Sequence, residues 1–254
     1  MARLERSQPD YGNWVPKRMI YGFSLAGVIL SVCVFLLWPF FIPASICFLI
    51  AAYFAYARYS FSPKGRNLQS KVWETAISNL EWNGDGRALD IGCGNGALTI
   101  MLAKKFASAR VTGIDFWGER WEYSKNTCEA NAKMEEVGDR VEFRKASASK
   151  LPFEDEYFDA AVSNFCFHEV ADSNDKQEVI REALRVVKKG GKFAFQDLFL
   201  LKKVYGTPEE LVSTIESWGI AKVEFIETRN APYVPAALKL PFMLGRTAII
   251  RGQK

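Results

Sequence analysis

Residues 19–57 contain no charged side chain: MIYGFSLAGVILSVCVFLLWPFFIPASICFLIAAYFAYA. A helix needs about 20 apolar residues to cross the hydrocarbon core of a bilayer, and this run is roughly twice that length. Pro39 and Pro43 interrupt it near the middle. Proline lacks an N–H and disfavours helix at the residue before it. Residues 38–43 are therefore expected to turn, with two transmembrane helices at about 19–38 and 40–59. Trp38, Tyr53, Tyr56 and Tyr59 fall towards the levels where amphipathic rings favour a membrane interface. Lys17 and Arg18 precede the run, and Arg58, Lys64, Arg66 and Lys71 follow it. The positive-inside tendency puts both flanks, and so both termini, in the cytoplasm. The expectation is an integral membrane protein, of the plasma membrane in a prokaryote, with membrane lipids as partners. Two other readings compete. A signal peptide has an apolar core of only about 7–15 residues, and a buried hairpin of a soluble protein would rarely run so far without a charge.

Past Arg58 the composition changes. FSPKGR, residues 61–66, reads as a linker, and Leu68, Val72, Trp73, Ala76, Ile77 and Leu80 recur at helical spacing. Apolar runs at 88–91, 110–114, 141–144, 158–163, 192–196, 221–226 and 247–251 are expected strands. Helices are expected over 97–106, 117–135, 176–187 and 208–218. Strands alternating with helices argue for an α/β domain with a parallel sheet covered on both faces. The expected organisation is a segment 1–18, a hairpin 19–59 and a catalytic domain 60–254.

The net charge of +4 is mild, which argues against a nucleic-acid partner. Five scattered cysteines and a single histidine leave no ligand set for a structural zinc, so no metal is expected.

The sharpest local signal is ALDIGCGNGA, residues 88–97: an apolar strand, then Gly92, Gly94 and Gly96, then a helix. Such glycines permit a tight turn and let a ligand approach the backbone at a helix N-terminus. Asp115 ends the next strand, where a carboxylate can accept hydrogen bonds from both hydroxyls of a ribose. A nucleoside-containing cofactor follows. The spacing Gly92, Gly94, Ala97 also satisfies a relaxed dinucleotide pattern, so a nicotinamide-dependent oxidoreductase stays open. Asp90 weighs against it, because a carboxylate opposes a pyrophosphate at the helix N-terminus yet suits a cationic sulfonium and ammonium.

LDIGCGNG (89–96), GID (113–115), LPFEDEYFD (151–159) and REALRVVKKGG (181–191) together resemble successive motifs of the class I S-adenosylmethionine-dependent methyltransferases. They most resemble the subgroup with the ubiquinone/menaquinone-type and sterol methyltransferases. The resemblance covers about residues 71–254 and leaves out the hairpin. It implies a Rossmann-like seven-stranded sheet with its last strand antiparallel and S-adenosylmethionine as cofactor. By similarity, Asp90 and the turn Gly92–Gly94–Gly96 would lie along the methionine part, Asp115 would hold the ribose, and Phe116 or Trp117 would face adenine. The family's Asp-Ala pair is replaced here by Ser147 and Ala148, which weakens the adenine contact to a hydroxyl or the Ala148 N–H. Asn164, Phe165 and His168 would floor the active site. His168 is either a general base for an acceptor that loses a proton or a local cap. Gln196 and Asp197 end the fifth strand; a solvated loop is the expectation for Asp197. The apolar stretch 230–245 is either a flap beside the acceptor or part of the core. These features point to a membrane-anchored enzyme methylating a small, hydrophobic or lipid-like acceptor. A non-catalytic module that binds the same cofactor is the further alternative.

Overall fold

The computed structural model describes residues 8–118 and 122–254. Residues 1–7 of the expected N-terminal segment and 119–121 of the expected helix 117–135 lie outside the described residues. The chain divides into two compact units. One is Asn13–Val72, and the other joins the N-terminal segment through Gly12 to Trp73–Lys254.

The first unit is built on α1 (Lys17–Cys33) and α2 (Phe41–Phe61), and α3 (Leu68–Ser78) begins at its end. The two long helices approach closely because Gly27 carries no side chain: a Cβ there would come within 2.9 Å of the Phe48 ring. Phe23 stacks on Phe54 at 5.9 Å between centroids, and Asn13 Nδ2 donates to the Arg58 carbonyl over 3.1 Å. The expected turn at 38–43 is corrected. The helix breaks earlier, after Cys33, and Trp38–Phe40 forms a single 3₁₀ turn that runs into α2. Both prolines sit where the backbone N–H would have no helical partner anyway, so neither interrupts α2. Early breakage leaves α1 with 17 residues, about 26 Å of helix, short of the ~30 Å hydrocarbon core. Among the described residues, one helical stretch, Trp38–Phe61, is long and apolar enough to cross a membrane by length and composition. The expectation of two such helices is therefore not met.

The second unit contains β1 (Arg87–Ile91), α4 (Ala97–Lys105), β2 (Arg110–Asp115), α5 (Lys125–Met134), β3 (Val141–Lys145) and β4 (Phe158–Asn164). It continues through α6 (Lys176–Arg185), β5 (Val187–Asp197), α7 (Lys202–Tyr205), α8 (Pro208–Ser217), β6 (Lys222–Glu227) and β7 (Ala248–Gln253). The seven strands form one sheet in the order β3-β2-β1-β4-β5-β7-β6. All neighbours are parallel except β7, which runs antiparallel to both β5 and β6. The α/β, Rossmann-like expectation is met in this unit.

Alternation along the strands supplies a core on each face. Leu89, Ile91, Ala161, Phe193, Phe195 and Ile250 pack with α6 and α8. Ala88, Val111, Ala160, Val162 and Ala194 pack with Ala76 and Ile77 of α3 and with α4 and α5. Each fully buried Phe contributes roughly 1.5–3 kcal/mol of apolar transfer, so the Phe193–Phe195 face is the heavier one. Two boundaries differ from expectation. Helix α6 stops at Arg185, and β5 starts at Val187, pairing first with Phe158 before a register shift. Helix α5 starts only at Lys125, because Ser124 caps it by accepting from the Thr127 N–H.

The strand order reverses beside β1, whose neighbours are β2 and β4. In open α/β sheets ligands bind at the carboxyl ends of the strands at such a reversal. Downstream, α8 begins with a reciprocal capping box: Thr207 Oγ1 accepts from Glu210 N and Glu210 Oε2 accepts from Thr207 N. Thr207→Ala removes one of these bonds and is expected to cost about 1 kcal/mol, a melting temperature lower by about 2–4 °C in a thermal scan.

Candidate functional site

At the carboxyl end of β1 the chain passes through Gly92, Gly94 and Gly96 with φ of 79°, 57° and 83°. L side chains rarely adopt these angles, and at Gly92 space forbids one as well. A Cβ on Gly92 would meet Cys166 Cβ at 2.4 Å, and one on Gly96 would meet the Phe143 ring at 3.0 Å. The backbone of the turn is therefore bare, and Gly96 is the left-handed residue from which α4 starts.

Asp115, at the end of β2, holds this turn. Its Oδ2 accepts from Gly94 N at 2.9 Å and its Oδ1 accepts from Trp117 N at 2.8 Å. The Trp117 indole N–H in turn donates to the Gly94 carbonyl at 2.8 Å. Burial raises the Asp115 pKa above the usual carboxylate value, against the lowering effect of the N–H donors. Trp117 reaches this position at a φ of +45°, which is why the expected helix cannot start there. Phe116 beside it is 61% exposed, with the Lys145 ammonium 5.3 Å from its ring centroid. Of the two aromatic candidates, Phe116 thus presents an open face and Trp117 is bonded down onto the turn.

Asp90 lies under the turn with 1% exposure. Thr99 Oγ1 of α4 donates to its Oδ2 at 2.6 Å, while Oδ1 is buried with no hydrogen-bond partner among the described residues. Burial pushes its pKa up to about 7; the Thr99 bonds lower it and the Asp115 charge raises it. A buried carboxylate oxygen without a partner is a site for a cation or donor.

The N-terminal segment closes one side of the turn. The Asp10 carbonyl accepts from Asn95 Nδ2 at 3.1 Å and from Asn131 Nδ2 at 2.9 Å, and Asp10 N donates to Asn131 Oδ1 at 2.9 Å. Tyr11 Oη donates to Glu135 Oε1 at 3.1 Å. Sequence reasoning missed Asp10, Tyr11 and Asn131; the bonds of Asp10 and Tyr11 just described span 85 to 124 residues and leave no local pattern.

Ser147 is engaged locally. Its hydroxyl is 2.9 Å from that of Ser149, which donates to Asp172 Oδ2 at 2.7 Å. Ala148 is buried and belongs to the core on the α6 face. Both follow the carboxyl end of β3, as the motif spacing requires.

After β4, Phe165 adopts a φ of +55°. A bulky residue there is strained, and such strain concentrates at ligand sites. Its N–H donates to the Gln196 carbonyl at 2.8 Å. Asn164 and Gln196 are register partners, and each has a buried side-chain carbonyl oxygen without a hydrogen-bond partner among the described residues. Cys166 packs against Gly92, so this loop reaches the glycine turn.

His168 follows in a short 3₁₀ turn. Its Nδ1 is 2.5 Å from Asp197 Oδ1. Asp197 also accepts from the backbone N–H groups of Phe167 at 2.8 Å, His168 at 3.4 Å and Leu198 at 2.6 Å. The expected solvated loop at Asp197 is corrected: the residue is 0% exposed, because these donors replace water around its carboxylate. Burial alone would lower the His168 pKa, but the charge and hydrogen bond of Asp197, with Glu169, outweigh it and hold the imidazole above its ordinary value. The apolar stretch 230–245 divides. Val234, Leu238 and Leu244 are buried, whereas Leu240 and Phe242 are exposed. No group of three or more metal-ligating side chains occurs among the described residues.

Residues 89–195 match the family model described as "Methyltransferase domain". This segment is similar to methyltransferase domains. Among relatives, the domain region is 31% identical over 157 residues to 27-O-demethylrifamycin SV methyltransferase of Amycolatopsis mediterranei, covering 56% of this chain and 55% of that protein. It is 36% identical over 125 residues to demethylmenaquinone methyltransferase of Staphylococcus aureus, covering 48% of each. The chain thus spans about half the length of the curated relatives it matches. The fold is shared with geranyl diphosphate C-methyltransferase of Streptomyces coelicolor, solved with Mg2+, geranyl diphosphate and S-adenosyl-L-homocysteine. That match has a TM-score of 0.56 and 16% identity, over 75% of this chain and 80% of that one. It is shared equally with the [4+2]-cyclase SpnF, at a TM-score of 0.53 and 21% identity over 72% and 80% of the two chains. The domain's fold alone therefore does not dictate its reaction.

The site also sets a pH dependence. A folded-state pKa of about 7 for Asp90 lies above the unfolded carboxylate value, so its contribution to stability is full below pH ~4 and lost as pH rises through about 7. The melting temperature of Asp90→Asn is expected to gain on the wild type between pH 5 and pH 8. A difference that stays constant over that range refutes the assignment.

Proposed function

We propose that this protein is an S-adenosylmethionine-dependent methyltransferase that acts on a small, hydrophobic acceptor at a membrane. The observation that carries this reading is the pairing of a bare glycine turn with two acidic side chains. Asp115 closes the turn, and the buried Oδ1 of Asp90 lacks a partner among the described residues. A dinucleotide would bring a pyrophosphate to the helix N-terminus beside Asp90, where like charges repel in a medium of low dielectric constant. A cofactor with a nucleoside at one end and cationic groups at the other suits the same residues. This argues against the nicotinamide alternative.

The residues present fit that cofactor. Asp90 and the turn at Gly92, Gly94 and Gly96 would hold the methionine part, and Asp115 the ribose. Phe116 would offer an apolar face to adenine, with Trp117, Ser147 and Ala148 bounding that end and Asn164 and Phe165 on the acceptor side. When bound, S-adenosylmethionine supplies a methyl group activated by the neighbouring sulfonium. The protein's part in such a transfer is to position the acceptor in line and exclude water. The unpaired carbonyl oxygens of Asn164 and Gln196 are suited to orienting a donor group.

The membrane part rests on the first unit. Phe35, Leu36, Trp38 and Leu49 are 70–91% exposed around α1 and α2, an apolar surface that water does not favour. Lys17, Arg18, Arg58, Lys64, Arg66 and Lys71 flank it and suit anionic headgroups. We read this unit as a helical hairpin that enters the membrane and returns to the same side, the anchor of an integral membrane protein with both termini and the catalytic domain cytoplasmic. By their names, two of the relatives act on small molecules, a demethylrifamycin and a demethylmenaquinone.

Full-length protein in nanodiscs, supplied with methyl-labelled S-adenosylmethionine and a membrane extract, is expected to pass label into the organic-soluble fraction. Asp115→Ala is expected to weaken cofactor binding at least tenfold and abolish the transfer. Absence of cofactor binding by the wild type overturns the proposal, and binding without transfer to any fraction favours the non-catalytic module. In a separate flotation assay with phosphatidylglycerol vesicles, the protein is expected to stay bound in 1 M salt, where surface charge is screened over about 3 Å. Release by salt alone refutes the anchor.

A further inference from the structure

The loop between β6 and β7 turns apolar side chains outward on a frame that is tied down. Leu238 and Leu244 are buried and pin its two arms. Between them Leu240, Pro241 and Phe242 are exposed, Phe242 at 64%. The backbone closes on itself around this tip. Leu244 N donates to the Leu238 carbonyl at 3.0 Å, and the Leu240 carbonyl accepts from Met243 N at 2.9 Å and Gly245 N at 3.1 Å. Gly245 permits the closure, because a Cβ there would lie 2.1 Å from the Lys239 carbonyl oxygen. Pro241 has no N–H to leave unpaired. A tip that bonds these groups internally is suited to an apolar phase, which offers backbone donors and acceptors no partner.

The tip belongs to the same end of the sheet as the glycine turn. β7 starts at Ala248, the register partner of Asp197 at the carboxyl end of β5, and Thr228 Oγ1 at the root of the loop is 3.4 Å from Gln196 Nε2. Cations flank it. Lys239 is exposed on one arm and Arg246 half-buried on the other. The Arg246 carbonyl accepts from Leu200 N at 3.1 Å, which ties the loop to the segment carrying the exposed Lys202 and Lys203 of α7. No acidic residue occurs in 198–207 or in 230–246. Three protruding side chains are too few for a stable protein partner, which takes about 800 Å² of matched surface. A fluid bilayer needs no matched shape, favours ring side chains at its interface and offers phosphates to the cations.

We propose that Leu240, Pro241 and Phe242 insert into the headgroup–acyl boundary of an anionic bilayer, with Lys239, Arg246, Lys202 and Lys203 on its phosphates. The carboxyl end of the sheet is thereby turned to the lipid, and the acceptor passes from bilayer to crevice without crossing water. This rests on the membrane reading above and adds a second contact, made by the catalytic domain itself and separate from the hairpin. So small a tip would hold a vesicle only weakly by itself. α2 ends at Phe61 and the second unit resumes at Trp73, so a bilayer that holds the hairpin keeps its own surface within reach of the domain. At the effective concentration such a tether provides, a weak contact suffices.

The test places the photo-crosslinker benzoylphenylalanine at Phe242 in full-length protein, in nanodiscs containing phosphatidylglycerol. A control carries it at Lys189, exposed near the opposite end of β5. Irradiation is expected to give lipid adducts at least tenfold more abundant from position 242 than from 189. In nanodiscs of phosphatidylcholine alone, which carry no net charge for the cations, the yield from 242 is expected to fall severalfold. Adducts chiefly to a second copy of the chain, a yield equal in the two lipids, or no lipid adduct in protein that still floats with vesicles overturns the proposal and leaves the anchor standing. Protein that does not float refutes the anchor, a different result. The double variant Leu240→Asp with Phe242→Asp is expected to float and to melt as the wild type does. Its label transfer is expected to be at least tenfold slower with membrane extract embedded in nanodiscs, and within twofold of the wild type with the extract dispersed in detergent. An equal loss in detergent would make the tip part of the acceptor pocket and overturns the docking role. Should the double variant fail to fold, the crosslink decides alone.

Discussion

A carboxylate at the end of the second strand ties together everything at the candidate site. Through one oxygen Asp115 takes the Gly94 N–H and through the other the Trp117 N–H, so the loops after β1 and β2 are closed against each other. Neither loop could hold this course on its own residues. The glycine turn sits in a region of backbone space that L side chains avoid, and Trp117 is itself at positive φ. The strain of each is offset by bonds to the same carboxylate, and the indole returns a third bond to Gly94. The result is a closed rim around a turn whose only side chains are those of Cys93 and Asn95.

The sheet sets where that rim can be. Reversal of the strand order beside β1 opens the carboxyl ends of β1 and β4, and the loops after those two strands meet at Gly92 and Cys166. Acidic residues then give the crevice its chemical character. Asp90 is paired on one side only, Asp115 takes one backbone donor on each oxygen, and Asp197 is bonded to His168. Each carboxylate thus has a different task, set by what its environment leaves unsatisfied.

Much of this was legible in the sequence wherever the signal was local and periodic. The strands from Arg87 onward, the glycine turn and Asp115 announce themselves through apolar runs and spacing. Helix ends were less legible: the start of α5 depends on Ser124 and on Trp117 being diverted to Asp115, which periodicity does not report. Pro43 misled for a related reason, since proline stops a helix in its interior but is harmless in its first turn. Asp197 was misread because a carboxylate at a strand end is usually solvated; its burial follows from three backbone donors that two loops bring together only in the folded chain.

Asp10 has a consequence for the order in which the molecule is made. Its backbone is bonded by Asn131, 121 positions further on, so the strap emerges from the ribosome first and must wait for its partner. During that wait the apolar helices α1 and α2 are synthesised and need somewhere to go. The bonds between Asp10 and Asn131 can therefore form only after both apolar helices have been synthesised.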